Sequence, residues 1–142
     1  VSTVVAPVNA CFGRRYRLSA SHRLSSNALT AEQNREAYGK CNNPYGHGHN
    51  YVVEVVVAGR VNAETGMVIN MVALDEVVND AVLSRFDHMN LNHDALFADQ
   101  VPTTENLCKA IYGLLAAKLP TGRLESVRVE ETENNFFQCF GS

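Results

Sequence analysis

The segment HGHNYVVEVVVA, residues 47–58, decides how the chain is read. Its tyrosine and valines suit a pleated, half-buried surface, and its apolar run is far short of a bilayer span, so it reads as one long strand. Alternation along a strand points His47 and His49 to the same face, roughly 7 Å apart along the backbone, and Gly48 leaves room on the opposite face. Two imidazoles at that separation can converge on a single ion.

Upstream, Tyr16, Leu18, Ala20 and His22 alternate with Arg15, Arg17 and Ser19, which predicts a second strand delivering His22 at its end. Thr30-Ala31-Glu32-Gln33 is a capping box and Gly39 a helix stop, so a short helix is expected over residues 31–38. Downstream, Gly59 to Gly66 supplies a turn, and Met67-Val68-Ile69-Asn70 reads as a short strand. Asn70 then caps a helix whose apolar stripe is Leu74, Val77, Val78, Ala81, Val82 and Phe86. A polar loop over residues 87–100 follows. Pro102-Thr103-Thr104 opens a further helix, striped by Leu107, Ala110, Ile111, Leu114 and Leu115 and ended by Pro120 and Gly122. LESVRVEET and FFQCF read as strands joined at Asn134-Asn135. The pattern predicts an α+β fold, an antiparallel four-stranded sheet with two helices on one face.

The 142 residues are 46% hydrophobic, enough for one domain over residues 1–142 with a sizeable core. The 12 basic and 15 acidic residues are scattered, which gives no electrostatic reason to expect nucleic acid as a partner. No apolar run reaches the roughly 20 residues of a membrane span. VSTVVAPVNA lacks the basic start and apolar block of a secretory leader. Cys11, Cys41, Cys108 and Cys139 are irregularly spaced and form no CxxC pair, so free thiols and a cytoplasmic setting are expected.

His22 is placed by pattern to join His47 and His49 as a third ligand, a set that suits Zn2+ and leaves the ion its full double charge. Cys41 lies six positions before His47. It is either the fourth ligand of a closed structural site or a reactive thiol beside an open one, and spacing alone admits both. Glu131 shares a strand face with Val127 and Val129, where a carboxylate must be hydrogen-bonded or exposed at the strand's end. Asp87-His88 is either a proton-transfer pair or a helix-end charge arrangement.

Six blocks in order carry a resemblance. SASHRL (19–24), GKCNNPYGHGHNY (39–51), TGMV (65–68), FDHMNL (86–91), PTTEN (102–106) and EETENN (130–135) resemble the 6-pyruvoyl-tetrahydropterin synthase family, over nearly all of Tyr16 to Phe140. The resemblance implies zinc held by His22, His47 and His49, Cys41 as general base, and Asp87 and His88 as its proton relay. It implies Glu131 as the pterin anchor, with Thr103, Thr104 and Glu105 as further pterin contacts. It implies the tunnelling fold, in which trimers close a twelve-stranded barrel and pair into a homohexamer with active sites between subunits. The implied reaction turns 7,8-dihydroneopterin triphosphate into 6-pyruvoyl-tetrahydropterin with loss of triphosphate, in tetrahydrobiopterin biosynthesis. How the triphosphate is held stays unassigned; Arg23 and Lys40 are nearby in sequence and basic. The sister reading is 6-carboxy-tetrahydropterin synthase of deazaguanine biosynthesis, whose cysteine usually stands closer to its HxH pair. From another class come a non-catalytic zinc protein closed by Cys41 and an inactive pterin-binding relative.

Overall fold

A computed structural model describes residues 8–141. Residues 1–7, on which most of the leader reading rests, lie outside the described residues. The chain forms β1 (Asn9–His22), α1 (Ala31–Tyr38), β2 (His47–Arg60), α2 (Met71–Val78), α3 (Ser84–Phe86), β3 (Met89–Asn90), α4 (Thr104–Ala116), β4 (Arg123–Glu130) and β5 (Phe136–Phe140). The sheet order is β3-β1-β2-β4-β5.

β1 and β2 are each 14 residues long and pair antiparallel end to end, from Asn9 opposite Arg60 to His22 opposite His47. β2 pairs antiparallel with β4 through a register shift at Val56/Val57, and β4 with β5. Leu18 and Ala20, Tyr51, Val53, Val55 and Val57, and Val127 and Val129 form one apolar sheet face. Leu74, Val78, Val82 and Phe86 from the α2–α3 run and Leu107, Ile111 and Leu115 from α4 join it in one core. Each such side chain, fully buried, stabilises by roughly 1.5–3 kcal/mol. The other face carries charge: Glu54 bonds Arg128 at 2.7 Å and lies 3.3 Å from Arg15, and the Arg128 guanidinium sits 3.9 Å over the Phe136 ring.

The expected four antiparallel strands are present, but the sheet is mixed and five-stranded. β3 pairs parallel with Ala20-Ser21 of β1, inside the segment expected to be only polar loop. The expected Met67–Asn70 strand does not form. The Met67 carbonyl accepts the Asn62 N–H at 2.9 Å, with Asn62 capping the turn through its side chain, while the Asn70 carbonyl already accepts the Leu74 amide of the next helix at 3.0 Å, so no ladder builds. The helix expected from Asn70 to Phe86 runs without a break, but its middle, Asn79–Leu83, is a π-helical turn between α2 and α3.

The segment 23–46 folds back over the end of β1. The Leu24 amide donates to the Cys41 carbonyl at 2.7 Å, and the buried Asn42 amide donates to the Leu24 carbonyl at 2.8 Å. At Gly46 (φ +72°) a Cβ would stand 2.9 Å from the His22 carbonyl oxygen. Only glycine lets the chain pass that close and start β2 directly opposite His22.

Candidate functional site

The long β1–β2 ladder explains the histidine cluster. His22 ends β1 and faces His47 at the start of β2, while His49 faces Ala20 one pleat further on. Directly opposed residues share a face, so all three imidazoles project to the helix-covered side. Their ligand nitrogens lie within 4.8 Å of one another, an arrangement that could hold a metal ion. His47 Nε2 and His49 Nε2 are 2.9 Å apart.

His22 shows why the donor set fits. Its Nδ1 lies 2.8 Å from the Pro102 carbonyl oxygen, which can only accept, so the proton belongs on Nδ1. Nε2 is then left with its lone pair, buried and without a hydrogen-bond partner. An unpartnered buried polar atom costs about 1–3 kcal/mol, and a bound cation removes that cost. Burial lowers the pKa of His22, with His49 and His47 adding to the shift and the Pro102 carbonyl and Glu131 opposing it. Burial lowers His49 as well, against the pull of Glu131. Neutral imidazole is the ligand form.

Cys41 sits half-buried in the 3-10 turn Gly39–Asn42, and its thiol lies outside the convergent histidine set. It lines a cleft of about 520 Å³ together with Lys40, His47 and His49. Burial pushes the Cys41 thiol up, and the negative charge of Glu131 pushes it the same way. All four cysteines are free thiols, as their spacing predicts.

Glu131 follows β4 and reaches into the same region, its Oε2 4.0 Å from His49 Nε2. Oε2 accepts the hydroxyl of the buried Thr104, and Oε1 accepts the Asn135 side-chain amide at 3.1 Å. Burial works against its ionisation, but these two donors and the His49 and His22 rings outweigh burial and hold the carboxyl below its usual range. Thr103 caps α4, its hydroxyl accepting the Asn106 amide at 3.2 Å, and Glu105 is exposed on the first turn.

Asp87 and His88 stand elsewhere. Asp87 Oδ1 accepts the Ser19 amide at 2.8 Å, and the His88 amide donates to the Ser19 carbonyl at 2.6 Å. His88 holds φ +61°, and its ring, 81% exposed, lies 3.6 Å from Asp87 Oδ2. His88 lines a second cleft, with Ser19, Ser21 and Asn50, on the side of the sheet away from the helices.

The profile of the family described as 6-pyruvoyl tetrahydropterin synthase matches residues 12–142. The chain belongs to the 6-pyruvoyl tetrahydropterin synthase family. It is an enzyme, a carbon–oxygen lyase by its family. It is 49% identical over 123 residues to the human 6-pyruvoyl tetrahydrobiopterin synthase, covering 86% of this chain and 85% of that protein. The solved Caenorhabditis elegans 6-pyruvoyl tetrahydropterin synthase superposes with a TM-score of 0.92 at 35% identity, covering 98% of this chain and 100% of that one. A 6-carboxy-5,6,7,8-tetrahydropterin synthase of Bacillus subtilis is 35% identical over 91 residues, 61% of this chain and 58% of that protein.

Two site-forming groups of this 6-pyruvoyl tetrahydropterin synthase family member escape sequence reasoning. Asn135 reads only as a turn residue between strands, yet it holds Glu131. Pro102 reads only as a helix-start signal, yet its carbonyl sets the His22 tautomer, and a backbone acceptor leaves no residue-type signature. The spacing Asn135 − Glu131 across a strand-joining turn is the one available hint for the first.

Proposed function

We propose that the chain converts 7,8-dihydroneopterin triphosphate to 6-pyruvoyl-tetrahydropterin with release of inorganic triphosphate, using Zn2+ held by His22, His47 and His49. The observation that carries this reading is the partnerless buried Nε2 of His22, turned toward two more imidazoles beside Cys41. When bound, zinc supplies a Lewis-acid charge that polarises the substrate's side-chain hydroxyls and acidifies the adjoining carbon-bound protons.

The remaining work belongs to the chain's own side chains. Glu131, ionised and held by Thr104 and Asn135, accepts two parallel hydrogen bonds from the amino-pyrimidine edge of the pterin. Thr103 and Glu105, at the start of α4, are assigned as further pterin contacts. The Cys41 thiolate removes and returns carbon-bound protons across the cleft. Asp87 and His88 relay those protons, and the place of His88 in a second cleft, which Cys41 does not line, fits a pair that serves the site of a neighbouring subunit. Substrate equals product plus triphosphoric acid in atoms, so hydrogens only move within the substrate and no nicotinamide or flavin takes part. The assembly proposed is a homohexamer of two trimers, each trimer closing a twelve-stranded barrel, working in the cytoplasm on tetrahydrobiopterin biosynthesis. Among the described residues no helix is long and apolar enough to cross a membrane.

Similarity to the Bacillus subtilis protein supports a second reading, 6-carboxy-tetrahydropterin synthesis, against which the six-position spacing of Cys41 and His47 stands. The deciding experiment is product analysis after mixing zinc-loaded protein with 7,8-dihydroneopterin triphosphate, beside a chelator-stripped control. Zinc-dependent triphosphate release with a 6-pyruvoyl product supports the first reading. A 6-carboxy product with acetaldehyde moves the assignment to the second.

A further inference from the structure

Between the end of β1 and α1 lies a cleft of about 540 Å³ whose walls include Arg23, Arg35, Ser25, Asn27 and Asn43 and no carboxylate. Five of the nine arginines lie within ion-pair distance of an acid: Arg14 of Asp75, Arg15 and Arg128 of Glu54, Arg85 of Asp94 and Arg123 of Glu125. Among the described residues, Arg17, Arg23, Arg35 and Arg60 take no part in such a pair, and of these four Arg23 and Arg35 line this cleft. Arg23 is half-buried, and its Nε donates to the Asn42 carbonyl at 3.3 Å, which orients the guanidinium without neutralising it. Two cations in an acid-free cleft, on a chain of net charge −3, form a local anion seat. Guanidinium forks match phosphate oxygens in geometry as well as charge.

The cleft adjoins the proposed reaction centre. Gly39 and Asn43 line both it and the cleft that holds Cys41, His47 and His49. Arg23 follows the ligand His22, and Asn42 follows Cys41. Glu131, the proposed pterin anchor, is a carboxylate beside His49, where a polyanion is disfavoured. Charge therefore gives the substrate a direction, with the pterin ring toward Glu131 and the phosphates toward the arginines.

We propose that Arg23 and Arg35 seat the triphosphate of the substrate in this cleft, an inference that rests on the reaction proposed above. It is tested by calorimetric titration of the zinc-loaded full chain with inorganic tripolyphosphate and, separately, with phosphate-free neopterin. A metal-free titration separates the arginines from any phosphate–metal contact. Arg35 is exposed, so Arg35→Gln leaves the fold intact, and Arg23→Lys keeps the charge while losing the fork. Arg35→Gln and Arg23→Gln are each expected to weaken tripolyphosphate binding by about tenfold, the loss of one charge-assisted contact. Arg23→Lys recovers part of it, and KM for the triphosphate substrate rises in step. Neopterin affinity and zinc content stay at their wild-type values, which a merely structural role for Arg23 would not allow. Tripolyphosphate affinity unchanged in both Gln variants overturns the assignment. Arginine-dependent tripolyphosphate binding in a protein that forms no pyruvoyl product keeps the anion seat and removes the reaction. Pyruvoyl product with arginine-independent affinity does the reverse.

Discussion

The proton on His22 is positioned by the Pro102 carbonyl at 2.8 Å, so a residue far along the chain prepares the lone pair that a metal needs. The same division of labour holds at Glu131, where Thr104 and Asn135 keep a half-buried carboxylate charged and aimed. Replacing Glu131 by Gln leaves an amide that donates where the pterin edge also donates, and pterin affinity should fall by at least about tenfold. Zinc content should not change, because Glu131 is outside the histidine set. Fluorescence titration with neopterin checks the first and metal analysis the second; unaltered neopterin affinity would remove the anchor role. Cys41→Ala should keep its zinc and lose turnover by at least about a hundredfold, the usual worth of a positioned proton carrier. Loss of the metal from that variant would instead make Cys41 a ligand of a closed structural site. These roles were partly legible. Strand alternation alone predicts that His47 and His49 converge, whereas the tautomer of His22 depends on a backbone oxygen that any residue would carry.

Among the elements, α2 is tied to β1 by one polar clamp. Asp75 accepts Arg14 Nε at 2.7 Å and Nη2 at 3.0 Å, and the Tyr16 hydroxyl at 2.7 Å. The Arg14 hydrogen bonds, then the Tyr16 hydroxyl, hold the Asp75 carboxyl below the usual carboxylate range. A depressed folded pKa means that the contribution is complete above the unfolded value of about 3.9 and is lost as pH falls through the folded value. Asp75→Asn should therefore lower stability at neutral pH, and the gap to wild type should close as pH falls below about 4 and on through the depressed folded value. Urea denaturation across that range measures it, and a gap that stays constant with pH would sink the linkage. The clamp was invisible to pattern reading because its partners lie 59 and 61 positions apart. The long strands, α1 and α4 were legible, since alternation and caps are local signals. β3 was not: two residues become a strand only because Ala20-Ser21 offers them a free edge. The valine and isoleucine of Met67–Asn70 misled in the opposite sense, for Ile69 is buried in the core although its segment joins no strand ladder.

At the scale of the whole molecule, one chain leaves its sheet open at both edges and exposes Phe136 and Phe140 on the face away from the helices. β3 covers only Ala20-Ser21 of the 14-residue β1, so most of that edge is unpaired; such an edge invites further pairing, and a closed barrel removes it. Asp87 and His88 raise the same issue chemically, because His88 lines a second cleft that Cys41 does not reach, with His49 bordering both. If subunits share sites, Cys41→Ala and His88→Ala lie in different halves of one catalytic unit, and each variant alone should be inactive. Denatured together in equal amounts and refolded, they should regain activity at the interfaces where the intact Cys41 of one chain meets the intact His88 of another. Random mixing makes that about a quarter of all interfaces, so the recovered rate should approach a quarter of wild type. The double variant, refolded with wild type as a control, can only dilute activity. Failure of the mixed single variants to recover, with mixed oligomers verified by mass spectrometry, would place Cys41 and His88 in the same chain's site or outside a common one.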